Sequence, residues 1–238
     1  MLGIIGGSGF YSLGEGRERK LKTPYGDACV FEGKTGKKDF VFIPRHKRGH
    51  TLPPHAINYR ANIWALRECG VDAVIATYAC GIISNYRSGD IILADDFLGL
   101  GIKATFYDSF RKGVVHADFL EPYSAVLQDK VMDIAKENGI MLEKGGIVAT
   151  TIGPRFETRA EIAALKALGA NLVSMTNAYE ASLIHEIRIP MVGICIGTNY
   201  ASGQTNSRLS ANEVMGIMKV EEDQLERLVK ALVSQLRI

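Results

Sequence analysis

The chain has 238 residues, 47% hydrophobic and 23% charged, a profile that excludes a disordered chain and suits a globular protein of one α/β domain spanning 1–238. Lys and Arg number 28 against 26 Asp and Glu; the resulting net charge of +2 gives nucleic acid no electrostatic claim as a partner. Cys29, Cys69, Cys80 and Cys195 form neither a C-x-x-C pair nor a zinc pattern, so they are read as buried or incidental thiols in a reducing compartment.

Met1–Gly7 carries no basic segment ahead of its apolar run, unlike a signal peptide. The longest apolar-dominated stretch, Ala73–Ile83, is well short of the ~18 residues of a membrane span. A cytoplasmic protein with no membrane partner is expected. Glycine, at 25 residues, exceeds its usual share of ~7% and points to tight turns or backbone close to a ligand.

In chain order, Gly3–Gly6 reads as a short buried strand running into a glycine-rich turn. Ala28–Glu32 and Asp39–Pro44 read as strands joined by the Gly33–Lys38 turn. Ile57–Cys69 has helical spacing, with Ile57, Ala61, Trp64 and Ala65 on one face and Gly70 at the C′ position. Strands follow over Val71–Ala79 and Asp90–Leu98, then a helix over Ser124–Asn138 closed by Gly139. Gly146–Thr151, Ala170–Thr176 and Met191–Thr198 read as strands, and Glu157–Leu168 and Tyr179–Ile187 as helices. A capping box, Ser210 with Glu213, opens a last helix that runs to about Leu236. Near-continuous apolar strands alternating with helices predict a mostly parallel mixed sheet covered on both faces.

Two phosphate-binding fingerprints nearly match and fail. Gly7-Ser8-Gly9-Phe10-Tyr11-Ser12 has Ser at the third glycine of the dinucleotide pattern. Gly33-Lys34-Thr35 has Ala28 where a Walker A loop needs its first glycine. What remains lies at the ends of predicted strands, where α/β sheets usually bind ligands. Gly6-Gly7-Ser8-Gly9 offers unobstructed backbone N–H groups and a hydroxyl, although a plain turn needs no more. Arg45-His46-Lys47-Arg48-Gly49-His50 packs three cations and two imidazoles together. His46 and His50 have a metal-ligand spacing, but their cationic neighbours favour an oxyanion, and a solvated basic loop is the plain alternative. In Gly153–Thr158, Phe156 suits stacking on an aromatic ring and Glu157 suits ring N–H donors; the same residues also suit a simple helix start. Asn199 in Thr198-Asn199-Tyr200-Ala201 can donate and accept at once, as a purine edge requires, or be a turn residue.

Together these segments resemble the trimeric purine nucleoside phosphorylase and methylthioadenosine phosphorylase family. Further matches are Arg45-His46 with His50-Thr51, Asn58–Leu66, Ala79-Cys80-Gly81, Ser88-Gly89-Asp90, Gly153–Glu161 and Met175-Thr176, in the family's order over nearly the whole chain. The resemblance implies a single α/β domain, a homotrimer or dimer of trimers, and no metal or organic cofactor. The implied reaction cleaves the glycosidic bond of a purine nucleoside with inorganic phosphate, giving free base and ribose 1-phosphate for purine salvage. It implies a phosphate site of Ser8, Arg45, His46, the Ala79 backbone and Thr176, with Met175 against the ribose. Catalytic roles fall to Asn199, Glu157 and His46, and base binding to Phe156, Glu157 and Asn199. Glu157 and Asn199 match the 6-oxopurine branch, since adenine-type members carry Asp at the latter position. Ala211 stands where nucleoside-specific members have a His that contacts the 5′-hydroxyl, and Val214 lies one turn later. That apolar wall makes 5′-methylthioinosine a candidate substrate alongside inosine and guanosine. His116 matches a residue lining the neighbouring subunit's site. Tyr78 stands where methylthioadenosine phosphorylases contact phosphate with Thr, Asn177-Ala178-Tyr179-Glu180 stands where the family usually has a small residue, Val, Pro and Glu, and Ile152 stands where the methylthioadenosine branch has Glu. A divergent methylthioadenosine phosphorylase and a catalytically weak purine-binding protein are the alternatives, the second because a bulky Tyr beside the phosphate would reshape the site.

Overall fold

The apolar strands form the spine of the molecule because each must bury both faces. A computed structural model describes residues 1–7, 16–111, 113–206 and 208–237. In chain order these hold β1 (Leu2–Gly6), β2 (Arg17–Thr23), β3 (Gly26–Thr35), β4 (Lys38–Pro44), α1 (Tyr59–Glu68), β5 (Ala73–Ile82), β6 (Ile91–Leu93) and β7 (Asp96–Leu98). They continue with α2 (Ala125–Glu137), β8 (Glu143–Lys144), β9 (Ile147–Thr150), α3 (Arg159–Ala167), β10 (Leu172–Ser174), α4 (Asn177–Glu186), β11 (Met191–Tyr200) and α5 (Ala211–Gln235). No helix among the described residues is long and apolar enough to cross a membrane.

All eleven strands belong to one mixed sheet, whose main path is β2-β3-β4-β1-β5-β10-β9-β7. Side chains alternate across it. Ala73, Ile75, Val192 and Ile194 pack with α2 and α5, while Val74, Ala76, Met191 and Cys195 pack with α1 and α4. The ten-residue β5 organises the centre. β11 lies parallel to it from Val74 to Ile82, so β1 and β10 must share the other edge. β1 covers Ala73–Ala76 and β10 covers Gly81–Ile82, leaving 77–80 without a strand on that side. The sheet therefore opens at the C-terminal end of β1, beside Ala79.

Several elements differ from the sequence expectation. The run Asp90–Leu98 is two strands, because the chain changes neighbours at Ala94–Asp95: β6 runs antiparallel to β11, and β7 parallel to β9. β2 escaped notice because its residues are charged and mostly exposed, as an edge strand's are. Trp64 is half-buried; Ile63 and Leu66 complete the α1 core face instead. The last helix begins at Ser210 as expected, its hydroxyl accepting from the Glu213 N–H at 3.2 Å. The reciprocal capping box forms at α3, between Thr158 and Glu161.

Candidate active site

The open end of the sheet is the floor of a cavity of about 620 Å³. Arg45 and His46 reach it from the loop after β4, Ala79 and Gly81 from β5, and Met175 and Thr176 from the turn between β10 and α4. Phe156 and Glu157 enter from the loop before α3, Asn199 from β11, and Ala211 and Val214 from the first turn of α5. Ten of the twelve residues given a site role in the sequence thus share one cavity. Ser8 lies outside the described residues. His116 is exposed and does not line this cavity; its ring meets Phe110 edge-on at 5.7 Å.

One side of the cavity is cationic. Arg45 is only 2% exposed, and a charge so buried needs a partner. Its Nε donates to Glu180 Oε1 at 2.6 Å and its Nη2 to Oε2 at 2.7 Å. Burial alone would lower the Arg45 pKa; the charge and hydrogen bonds of Glu180 outweigh that and hold it above its ordinary value. Beside it, His46 Nδ1 lies 2.8 Å from the Leu52 carbonyl. A carbonyl can only accept, so the proton sits on Nδ1, and in the neutral ring Nε2 is an acceptor. The His46 and His50 rings stack at 4.3 Å. Among the described residues no group of three or more His, Cys, Asp or Glu side chains is arranged to hold a metal ion. Thr176 caps α4 without a side-chain capping bond, and the positive end of that helix adds to the cationic side.

Tyr78 and Tyr179 do not crowd this cavity, contrary to expectation. Tyr78 is buried on the other face of β5, its ring centroid 4.6 Å from the Arg45 guanidinium carbon. Tyr179 stacks on Tyr59 at 4.6 Å. Side chains alternate along a strand, so if Ala79 faces the cavity its neighbour Tyr78 must face away.

The other side of the cavity carries directional hydrogen-bonding groups. Glu157 is buried, and Oε1 accepts the Thr151 hydroxyl at 2.5 Å. Glu157 also lines the cavity. Across the cavity, the β5–β11 register slips between Gly197 and Asn199. Such a bulge re-aims side chains, and here Thr198 and Asn199 both face the cavity although they are sequence neighbours. The Thr198 hydroxyl lies 2.9 Å from Asn199 Oδ1 and 3.2 Å from the Cys80 carbonyl. It has one proton, and donating it to the nearer Oδ1 orients the carboxamide. One amide hydrogen of Asn199 then turns to the Tyr200 carbonyl at 3.3 Å, and the other has no partner among the described residues.

A third wall is apolar, made by Leu52, Pro53, Pro54, Ala211, Val214 and Met215. Met215 sits one helical turn after Ala211, so the helical period could have found it. Thr151 and Thr198, which hold Glu157 and Asn199, carry no signal of their own in the sequence.

The chain matches the phosphorylase superfamily over residues 1–234. It is 40% identical over 246 residues to a probable 6-oxopurine nucleoside phosphorylase of Thermococcus kodakarensis, covering 99% of this chain and 92% of that one. It is 38% identical to a probable S-methyl-5′-thioinosine phosphorylase of Methanopyrus kandleri, again over 99% and 92%. The solved methylthioadenosine phosphorylase of Schistosoma mansoni with adenine superposes with a TM-score of 0.91 at 29% identity, covering 98% of this chain and 90% of that one.

Proposed function

This chain belongs to the phosphorylase superfamily, and from that premise we propose that its substrates are 6-oxopurine nucleosides, including one with a 5′-methylthio group. It is a nucleoside phosphorylase, a pentosyltransferase that cleaves purine nucleosides with inorganic phosphate. Glu157 carries the choice of base. A buried carboxylate that lines the cavity calls for a donor. The N1–H of hypoxanthine or guanine supplies one, whereas adenine presents a bare acceptor at N1 and would leave two acceptors opposed. The apolar wall of Ala211, Val214 and Met215 suits a methylthio group better than a hydroxyl, which would lose its water there.

In this reading a phosphate oxygen forms a bond to C1′ as the bond from C1′ to N9 breaks, and the bonding electron pair passes to the purine. Positive charge develops on the ribose and negative charge on the base. Phosphate held by Ser8, Arg45, His46, the Ala79 backbone and Thr176 lies under C1′ as nucleophile and counter-charge. The second Asn199 amide hydrogen supports N7, Phe156 stacks on the base, and Met175 packs against the ribose. Positioning and charge complementarity do most of the work, with inorganic phosphate as co-substrate and no metal or organic cofactor.

The working form in this proposal is a homotrimer or dimer of trimers in the cytoplasm, with His116 reaching the neighbour's cavity. The exposed apolar side chains Leu100, Phe110, Val114 and Leu120 near it support that reading, and the four free cysteines suit a reducing compartment.

Phosphorolysis of inosine, guanosine, 5′-methylthioinosine and 5′-methylthioadenosine, compared by kcat/KM, is the test. The three 6-oxopurines should exceed the adenine compound by about a hundredfold or more, with methylthioinosine foremost. Preferential turnover of methylthioadenosine would overturn the Glu157 argument.

A further inference from the structure

We propose that Tyr78 and Glu180 are positioning residues for the anion subsite, holding the Arg45 guanidinium so that one edge alone serves the ligand. This rests on the reading above that Arg45 binds phosphate. Arg45 carries five N–H donors in a planar fork. Glu180 takes the side-on pair, Nε at 2.6 Å and Nη2 at 2.7 Å. The end-on edge, Nη1 with the second Nη2 hydrogen, remains for an oxyanion, and its paired N–H groups match two oxygens of a tetrahedral anion.

Two further contacts leave that plane little freedom. The Tyr78 ring lies on the guanidinium face at 4.6 Å, and Tyr78 and Glu180 are each 1% exposed. At the far end, a Cβ added to Gly7 would come within 2.3 Å of Arg45 Nη1. The ligand edge thus abuts Gly7, just after β1. Neither Tyr78 nor Glu180 lines the cavity, so each acts through Arg45.

The Tyr78 contribution comes from its ring. Its buried hydroxyl lies near the Glu180 carboxylate but forms no hydrogen bond of good geometry among the described residues, so removing it forfeits at most a weak contact. Replacing the ring by an aliphatic side chain removes the flat, electron-rich surface under the cation.

The experiment compares Tyr78→Phe, Tyr78→Leu and Glu180→Gln with the unmodified enzyme. Phosphate KM is measured at saturating inosine, inosine KM at saturating phosphate, and phosphate binding by calorimetry with inorganic phosphate alone. Tyr78→Leu and Glu180→Gln should raise phosphate KM and Kd by about tenfold or more while inosine KM stays within about twofold, and Tyr78→Phe should restore both phosphate constants. A general packing defect would move both KM values together. The proposal is overturned by unchanged or tighter phosphate binding in Tyr78→Leu and Glu180→Gln, or by Tyr78→Phe behaving like Tyr78→Leu. Should Glu180→Gln fail to fold, the Phe and Leu pair at Tyr78 decides the matter. Absence of phosphorolysis in the unmodified enzyme would overturn the functional reading instead, and calorimetry would still report on Arg45.

Discussion

His46 sits between a carbonyl that accepts from Nδ1, the Arg45 cation and the stacked His50 ring. Burial is the main cause that pushes its pKa down to about 4, and the Arg45 charge is the next. The unfolded chain takes up a proton near the ordinary value of 6.5, which the folded ring refuses until about pH 4. More protons are bound by the unfolded state in that window, so this ring's contribution to stability is full above pH 6.5 and is lost as pH falls toward 4. The loss is on the order of a few kcal/mol. Unfolding free energies of His46→Gln, measured in phosphate-free buffer from pH 7 to 4, should therefore fall less steeply than those of the unmodified protein. Equal slopes would refute the account. At this scale the site was legible where the residue type names the chemistry, as at Arg45, Glu157 and Asn199. It was not legible at Tyr78: a side chain's sequence position beside the site does not say which face of the strand it takes.

Among the elements, α3 shows how a local signal sets up the base side. Thr158 and Glu161 exchange hydrogen bonds across the first turn, Thr158 Oγ1 accepting at 3.1 Å and Glu161 Oε2 accepting at 2.7 Å. That cap fixes where the helix starts, and hence where Glu157, one residue earlier, leaves the loop. Thr158→Ala is expected to cost about 1 kcal/mol in denaturant unfolding, and a change under a few tenths would mean that the cap contributes nothing. Helices and their glycine stops could be read because caps and 3.6-residue periods are local. The split of β6 from β7 and the bulge at Thr198 could not, since both depend on which strand lies alongside.

Across the whole molecule, the segment from Leu100 to Leu120 exposes the apolar side chains Leu100, Phe110, Val114 and Leu120, the last 87% exposed. On the proposed reading a second copy covers it and receives His116. Sedimentation should then show three chains or six, and Leu120→Glu should yield smaller species with reduced kcat/KM. A fully active monomer would end the shared-site proposal. The sequence by itself determined the α/β class, the order of most elements and the residue types that meet at the strand ends, because periodicity, caps and residue chemistry are properties of short windows. Only the tertiary structure decided that β1 and β10 share one edge of β5, opening the sheet beside Ala79, that Glu180 holds Arg45 from 135 residues away, and that Tyr78 lies behind the site. Those are pairings between distant segments, and they are settled by burial and by the need of every buried charge for a partner.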